Sequence, residues 1–166
     1  MQGSEPDRSF EALWRDSWQG VWQFVFRRCG DPQIASDVTA ETFLVAWRRR
    51  REVPTPSRAW LYGVARKVLA NQVRANHRQV ALVAKLSDQE RPLSSSGAAS
   101  ELGEVVVRAF NALDPADRQV LALVIWDELS PPEAAQALGI RDVTFRVRFH
   151  RAKARLRNKI DTTGHI

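Results

Sequence analysis

Apolar residues recur along this chain at intervals of three and four, and no segment alternates with the period of a strand. Phe10, Leu13, Trp14, Trp18, Val21, Trp22 and Val25 form the first series, which Gly30 ends. The i, i+4, i+8 spacing of its tryptophans is that of a helix buried along one side, so the row is expected in a core. Asp31 and Pro32 then supply an N-cap and a first helical residue. The helix they open is apolar at Ile34, Val38, Phe43, Leu44 and Trp47 and is expected to run to Arg51. Pro54 and Pro56 force an extended connection, after which Ser57 can cap a third helix from Arg58 with Leu61, Val64, Ala65 and Val68 on its apolar side.

Farther along, Asp114 and Pro115 open a helix whose inward side is Val120, Leu121, Val124 and Ile125. Ser130-Pro131-Pro132-Glu133 then places a hydroxyl, a proline without an amide hydrogen and a returning carboxylate at the positions of a capping box. Ala134, Ala135, Ala137 and Leu138 are suited to close helix packing, and Gly139 can take the left-handed conformation that closes the helix. Asp142 can cap the last helix, in which Phe145, Phe149, Ala152, Leu156 and Ile160 fall within about 80° of arc. The pattern predicts an all-α fold of two small helical domains joined by a flexible linker, the C-terminal one containing a helix-turn-helix. Composition puts the boundaries at 1–86, 87–103 and 104–166, because Ser94-Ser95-Ser96-Gly97 stands among charges with few large apolar residues nearby.

Composition narrows the function. The 166 residues are 44% hydrophobic, enough to build cores, and carry 25 Lys plus Arg against 19 Asp plus Glu, a formal charge of +6. Cys29 is the only cysteine, so no internal disulfide is possible, and it is expected as a small buried apolar group. His77, His150 and His165 are too scattered for a ligand set, so no metal and no cofactor are expected. A polar, acidic start and the lack of a long apolar run predict no signal peptide, no membrane insertion and a cytoplasmic location. Without a phosphate-binding glycine loop or a nucleophile motif, no catalytic residue, enzymatic activity or small-molecule substrate is expected.

The distribution of charge says more than its sum. On the last helix, Arg146, Arg148, His150, Arg151, Lys153, Arg155, Arg157 and Lys159 lie outside the apolar arc or at its edges. Charges of one sign repel along a helix, which favours a polyanionic partner over a merely solvated face. Arg141, Thr144, Arg146 and Arg148 occupy the first turns, where a major-groove helix meets base edges, and Arg151, Lys153 and Arg155 are better placed for phosphates. The third helix carries a second footprint: Val53 to Ser87 contains no Asp or Glu. Within it Lys67, Asn71, Arg74 and Arg78 share roughly 60° of arc, beside Trp60, with Arg66 also in the segment. Cations suit phosphates, and an aromatic face with amides suits unstacked bases; a solvated surface with Trp60 in the core fits the same residues.

Three stretches together resemble a bacterial sigma factor of the extracytoplasmic-function (ECF) kind, in the sigma-70 family. Asp37-Val38-Thr39-Ala40-Glu41-Thr42-Phe43-Leu44-Val45-Ala46-Trp47 resembles the region that grips the polymerase core. Ser57-Arg58-Ala59-Trp60-Leu61-Tyr62-Gly63-Val64-Ala65-Arg66 resembles the segment that reads and opens the −10 element. Leu129 to Ile140 with Phe145 to Ala152 resembles the domain that docks on the −35 element. Ala40 and Lys67 depart from the family's usual Gln and Asn, and Val143 and Val147 stand where Gly and Ser are common.

The resemblance implies core RNA polymerase and promoter DNA as partners, with an anti-sigma factor as a further candidate. It implies −35 contacts from Arg141, Thr144, Arg146, Arg148, Arg151, Lys153 and Arg155, and −10 contacts from Trp60, Arg66, Lys67, Asn71, Arg74 and Arg78. Asp37, Glu41, Phe43 and Trp47 become candidates for the polymerase contact, although core packing accounts equally well for the two aromatics. The Glu52 to Ser57 loop becomes the expected receptor of an unstacked base. A free-standing helix-turn-helix repressor or activator is the alternative, and it leaves the first hundred or so residues to ligand binding or dimerisation.

Overall fold

In the computed structural model, which describes residues 5–81 and 101–163, the chain divides into two units, Met1–Arg91 and Pro92–Ile166. The described residues form helices and connecting turns, with no strand. Most of the expected linker lies outside the described residues.

The first unit holds α1 (Glu5–Cys29), α2 (Pro32–Arg48) and α3 (Arg58–Ala81), each packed on the other two. Asp31 caps α2 as its sequence requires, its Oδ1 accepting from the amides of Gln33 at 2.8 Å and Ile34 at 3.2 Å. The α2 helix stops at Arg48, short of the expected Arg51, and Arg49 bonds to Glu52 in the turn that follows. Val21, Phe24 and Val25 of α1, Val38 and Phe43 of α2 and Leu61 and Ala65 of α3 are buried together. The Phe24 and Tyr62 rings stack with centroids 4.4 Å apart. Gly20 makes room for the latter, since a Cβ there would meet the Tyr62 hydroxyl at 3.2 Å. Thr39 and Thr42 are wholly buried, and their hydroxyls donate back to the Ala35 and Val38 carbonyls, so neither hydroxyl is stranded.

The tryptophan row differs from expectation. Trp14 is 40% exposed, and Trp18 and Trp22 are half-buried. The smaller Val21 and Val25 reach the centre because a unit of only three packed helices leaves no interior wide enough for successive indoles. Phe10, Trp14, Trp18, Phe43 and Trp47 instead form a ring cluster at the α1 and α2 seam, with Trp14 stacked on Trp18 at 4.4 Å and Phe10 edge-on to Trp47 at 5.0 Å. Cys29 is likewise half-buried where full burial was expected; its Sγ donates to the Asp31 carbonyl at 3.4 Å.

The second unit holds α4 (Glu101–Asn111), α5 (Pro115–Ile125), α6 (Pro131–Leu138) and α7 (Asp142–Thr163). The α4 helix was not anticipated, and it begins inside the segment assigned to the linker. Its inward residues, Ala109 and Phe110, are few, but packing against α7 buries them. The α7 helix packs on α4, α5 and α6, and its anchors Phe145 and Ala152 are fully buried, with Phe149, Leu156 and Ile160 half-buried on the same side.

Candidate nucleic-acid interface

The helix-turn-helix is built by its caps. Ser130 Oγ accepts from the Glu133 amide, and Glu133 Oε2 accepts from the Ser130 amide at 2.8 Å, closing the capping box at the start of α6. Gly139 ends that helix in the left-handed region, φ 66° and ψ 32°, and its amide donates to the carbonyls of Ala135 and Gln136. Ile140 then donates its amide to the Ala135 carbonyl, and two residues later α7 begins. The carbonyl of Arg141 accepts the first bond of α7, from the Phe145 amide at 3.0 Å, so Arg141 holds the cap position. Asp142, expected there, stands inside the first turn. Its Oδ2 accepts from Arg146 Nε at 3.0 Å, and its Oδ1 is buried without a hydrogen-bond partner.

Because Phe145 and Ala152 fix which side of α7 faces inward, the opposite side is set as well. Arg141, Arg146, Arg148, Arg151, Lys153 and Arg155 are exposed, and Thr144 is half-exposed. Three of the cations are held by neighbours. Arg146 is steadied by Asp142, and the Lys153 ammonium lies 4.6 Å from the Phe149 ring centroid. Arg155 Nη1 donates to both oxygens of Asp117 at 2.9 Å, although more than half of the Arg155 side chain remains exposed. Val143 and Val147, which the periodicity left unassigned, are among the most exposed large apolar residues, at 72% and 44%. Their signal in the sequence was their position outside the apolar arc.

In the first unit, Lys67, Asn71, Arg74 and Arg78 share one exposed face of α3, and Arg74 donates to the Asn71 amide oxygen. Arg66 lies about 80–140° around the helix from them. It is half-buried, and its guanidinium is held below its ordinary pKa, first by burial and then by the neighbouring Arg28. Trp60 is half-buried with the Arg49 guanidinium 5.6 Å from its ring centroid, an arrangement between the stacking and core readings. Beside the 52–57 loop lies a cleft of about 520 Å³, walled by Phe10 and Leu13 on one side and by Pro54 and Pro56 on the other, with Arg50 and Arg58 at its lining. The Arg50 guanidinium stacks 4.4 Å from the Trp47 ring centroid.

The polymerase-contact candidates divide. Asp37 and Glu41 are exposed on one side of α2, and Asp37 accepts from Gln33 Nε2 at 3.0 Å. Trp47 is 37% exposed, whereas Phe43 is 1% exposed and enclosed by Phe10, Trp14 and Trp18. A side chain sealed in this way cannot meet a partner, so Phe43 is reassigned to the core. Leu44, first read only as part of the helix's apolar run, is 53% exposed and lies about 20° around the helix from Asp37, on the side away from Glu41.

Among the described residues no cluster of His, Cys, Asp and Glu could hold a metal ion, and no helix is long and apolar enough to cross a membrane.

Two family models match the chain, Sigma-70 region 2 over residues 13–79 and Sigma-70, region 4 over residues 103–156. The chain is similar to the ECF RNA polymerase sigma factor SigL of Mycobacterium tuberculosis, 29% identical over 160 residues that cover 92% of this chain and 89% of SigL. It is also similar to the ECF RNA polymerase sigma factor SigM of Bacillus subtilis, 26% identical over 140 residues, with 82% and 86% of the two chains covered. Among solved structures, the sigma factor RpoE in complex with the anti-sigma factor NepR from Bartonella quintana matches in fold. Its TM-score is 0.67 at 21% identity, over 93% of this chain and 98% of that one.

Proposed function

The chain belongs to the sigma-70 family, in its extracytoplasmic-function branch, and on that premise we propose how its two units divide the work of promoter recognition. It binds core RNA polymerase and directs it to promoters. The C-terminal unit reads the −35 element by laying α7 in the major groove; the N-terminal unit holds the polymerase and opens the −10 element. The observation that carries this reading is the capped α6, the left-handed Gly139 and the exposed cationic side of α7, in the order a groove-reading helix-turn-helix needs.

Arg141, Thr144, Arg146 and Arg148 meet base edges near the start of α7, and Arg151 and Lys153 meet phosphates, with Arg155 contributing the part of its guanidinium that Asp117 does not hold. On α3, Lys67, Asn71, Arg74 and Arg78 follow the non-template strand. The cleft beside the 52–57 loop supports capture of an unstacked base, since unstacking is unfavourable by a few kcal/mol and needs a prepared receptor. Asp37, Glu41 and Trp47, joined by Leu44, face the polymerase.

RNA synthesis is the polymerase's own chemistry, so no reaction is assigned to this chain. It works in the cytoplasm, beside the polymerase and the chromosome, and an anti-sigma factor is a candidate regulator. A free-standing repressor is not favoured, because the region 2 match occupies the half that such a protein would leave for ligand binding. Run-off transcription with purified core polymerase and a promoter library tests the reading. Discrete start sites that depend on the chain support it, and transcription indifferent to its addition overturns it.

A further inference from the structure

We propose that Val143 and Val147 read thymine methyl groups in the −35 element, an inference that rests on the promoter-reading role of α7. The two valines sit one turn apart. At about 100° per residue, Val147 points roughly 170° away from the mean direction of the buried Phe145, Phe149, Ala152 and Leu156, so it lies at the crest of the helix. Val143 lies within about 40° of it and is 72% exposed. Exposed cations flank the pair, Arg146 on one side and Arg148 and Arg151 on the other. An apolar strip two side chains wide is too small for a stable protein interface, which needs hundreds of Å² per partner. Its cationic border matches a duplex, in which phosphate rows enclose the groove floor.

The only methyl group that the four natural bases present in the major groove is the C5-methyl of thymine. A valine pressed on it exchanges two hydrated apolar surfaces for one contact. The same valine over the exocyclic amine of cytosine would strip water from a donor and return no hydrogen bond. Val143 and Val147 therefore favour thymine twice over, by attraction to the methyl and by penalty against its pyrimidine rival. The arginines beside them supply affinity and hydrogen-bonded readout at neighbouring positions.

The test uses the holoenzyme formed by the full chain and core RNA polymerase. A promoter fragment is first selected by that holoenzyme from a library randomised across the −35 element. Its affinity is then measured with each −35 thymine replaced in turn by uracil, which lacks only the methyl group. Replacement at one or two positions is expected to weaken binding about fourfold per methyl. The Val143→Ala, Val147→Ala double variant is expected to bind thymine and uracil fragments alike. Alanine at these exposed helical positions raises helix propensity, so loss of fold does not confuse the result. The proposal is overturned by a wild-type holoenzyme indifferent to every uracil, by a double variant as sensitive as wild type, or by a selected element without thymine on either strand. Selection of no −35 sequence at all would overturn the promoter-reading role of α7 itself, and this proposal with it.

Discussion

One nitrogen of the Arg155 guanidinium donates to both carboxylate oxygens of Asp117 at 2.9 Å, tying α7 to α5 across 38 residues of sequence. Asp117 is 8% exposed, so the arginine is the charge that keeps its carboxylate from standing alone in the unit's interior. The pair adds a polar tie between α5 and α7 to the packing of Phe145 and Ala152, which fixes the inward side of α7. Arg155→Ala is therefore expected to destabilise the chain by about 1–3 kcal/mol, read from thermal or urea unfolding by circular dichroism. Arg151→Ala should leave stability within about 0.5 kcal/mol of wild type and lower the slope of log affinity against log salt by about one. Reversal of these two phenotypes would mean that Arg155 serves DNA and Arg151 the fold.

Gly139 has a left-handed backbone and open space where a Cβ would stand, so strain alone penalises a substitution there. Gly139→Ala should destabilise the chain by about 1–2 kcal/mol, and Gly139→Asn by less, because asparagine tolerates this region. Ser130→Ala removes the hydroxyl half of the capping box and should destabilise by about 0.5–2 kcal/mol. Equal effects of alanine and asparagine at position 139 would contradict the conformational explanation.

Phe43 and Glu41 are neighbours on α2 with opposite surroundings. Phe43→Ala opens a cavity under the ring cluster and should destabilise by about 3–5 kcal/mol in an unfolding experiment. Glu41→Ala, at an exposed position, should leave unfolding unchanged while weakening association with core polymerase in a pull-down or fluorescence titration. Normal polymerase affinity for both Glu41→Ala and Asp37→Ala would remove this side of α2 from the interface.

Arg74 and Arg78 are exposed on α3, and the Arg74 bond to Asn71 links the cationic and amide groups of that face. The Arg74→Ala, Arg78→Ala double variant should still bind polymerase and should fail to melt the −10 element, seen as loss of permanganate-reactive thymines. Reactivity equal to wild type would exclude this face from strand holding.

Much of the chain was legible before any coordinate, where the determinants are local. The Asp31-Pro32 start, the Ser130 to Glu133 box and the Gly139 stop act through bonds within four residues, so residue type and spacing suffice to place them. The period of apolar positions identified α7 and its buried side for the same reason. The α4 helix escaped although Leu102, Val105, Val106 and Phe110 recur at helical spacing, because composition assigns its first residues to the linker and no cap marks its start as clearly as those of α2 and α6.

What the sequence determined by itself was an all-helical chain with a groove-reading motif and two acid-poor basic faces, since each follows from neighbours a turn apart. Tertiary structure alone decided that Phe43 is sealed while Leu44 is exposed, that Arg155 is shared with Asp117, and that the tryptophans line a seam instead of filling a centre. Those outcomes depend on how wide a space the packed helices leave and on which charges meet across distant segments, and helical periodicity carries neither quantity.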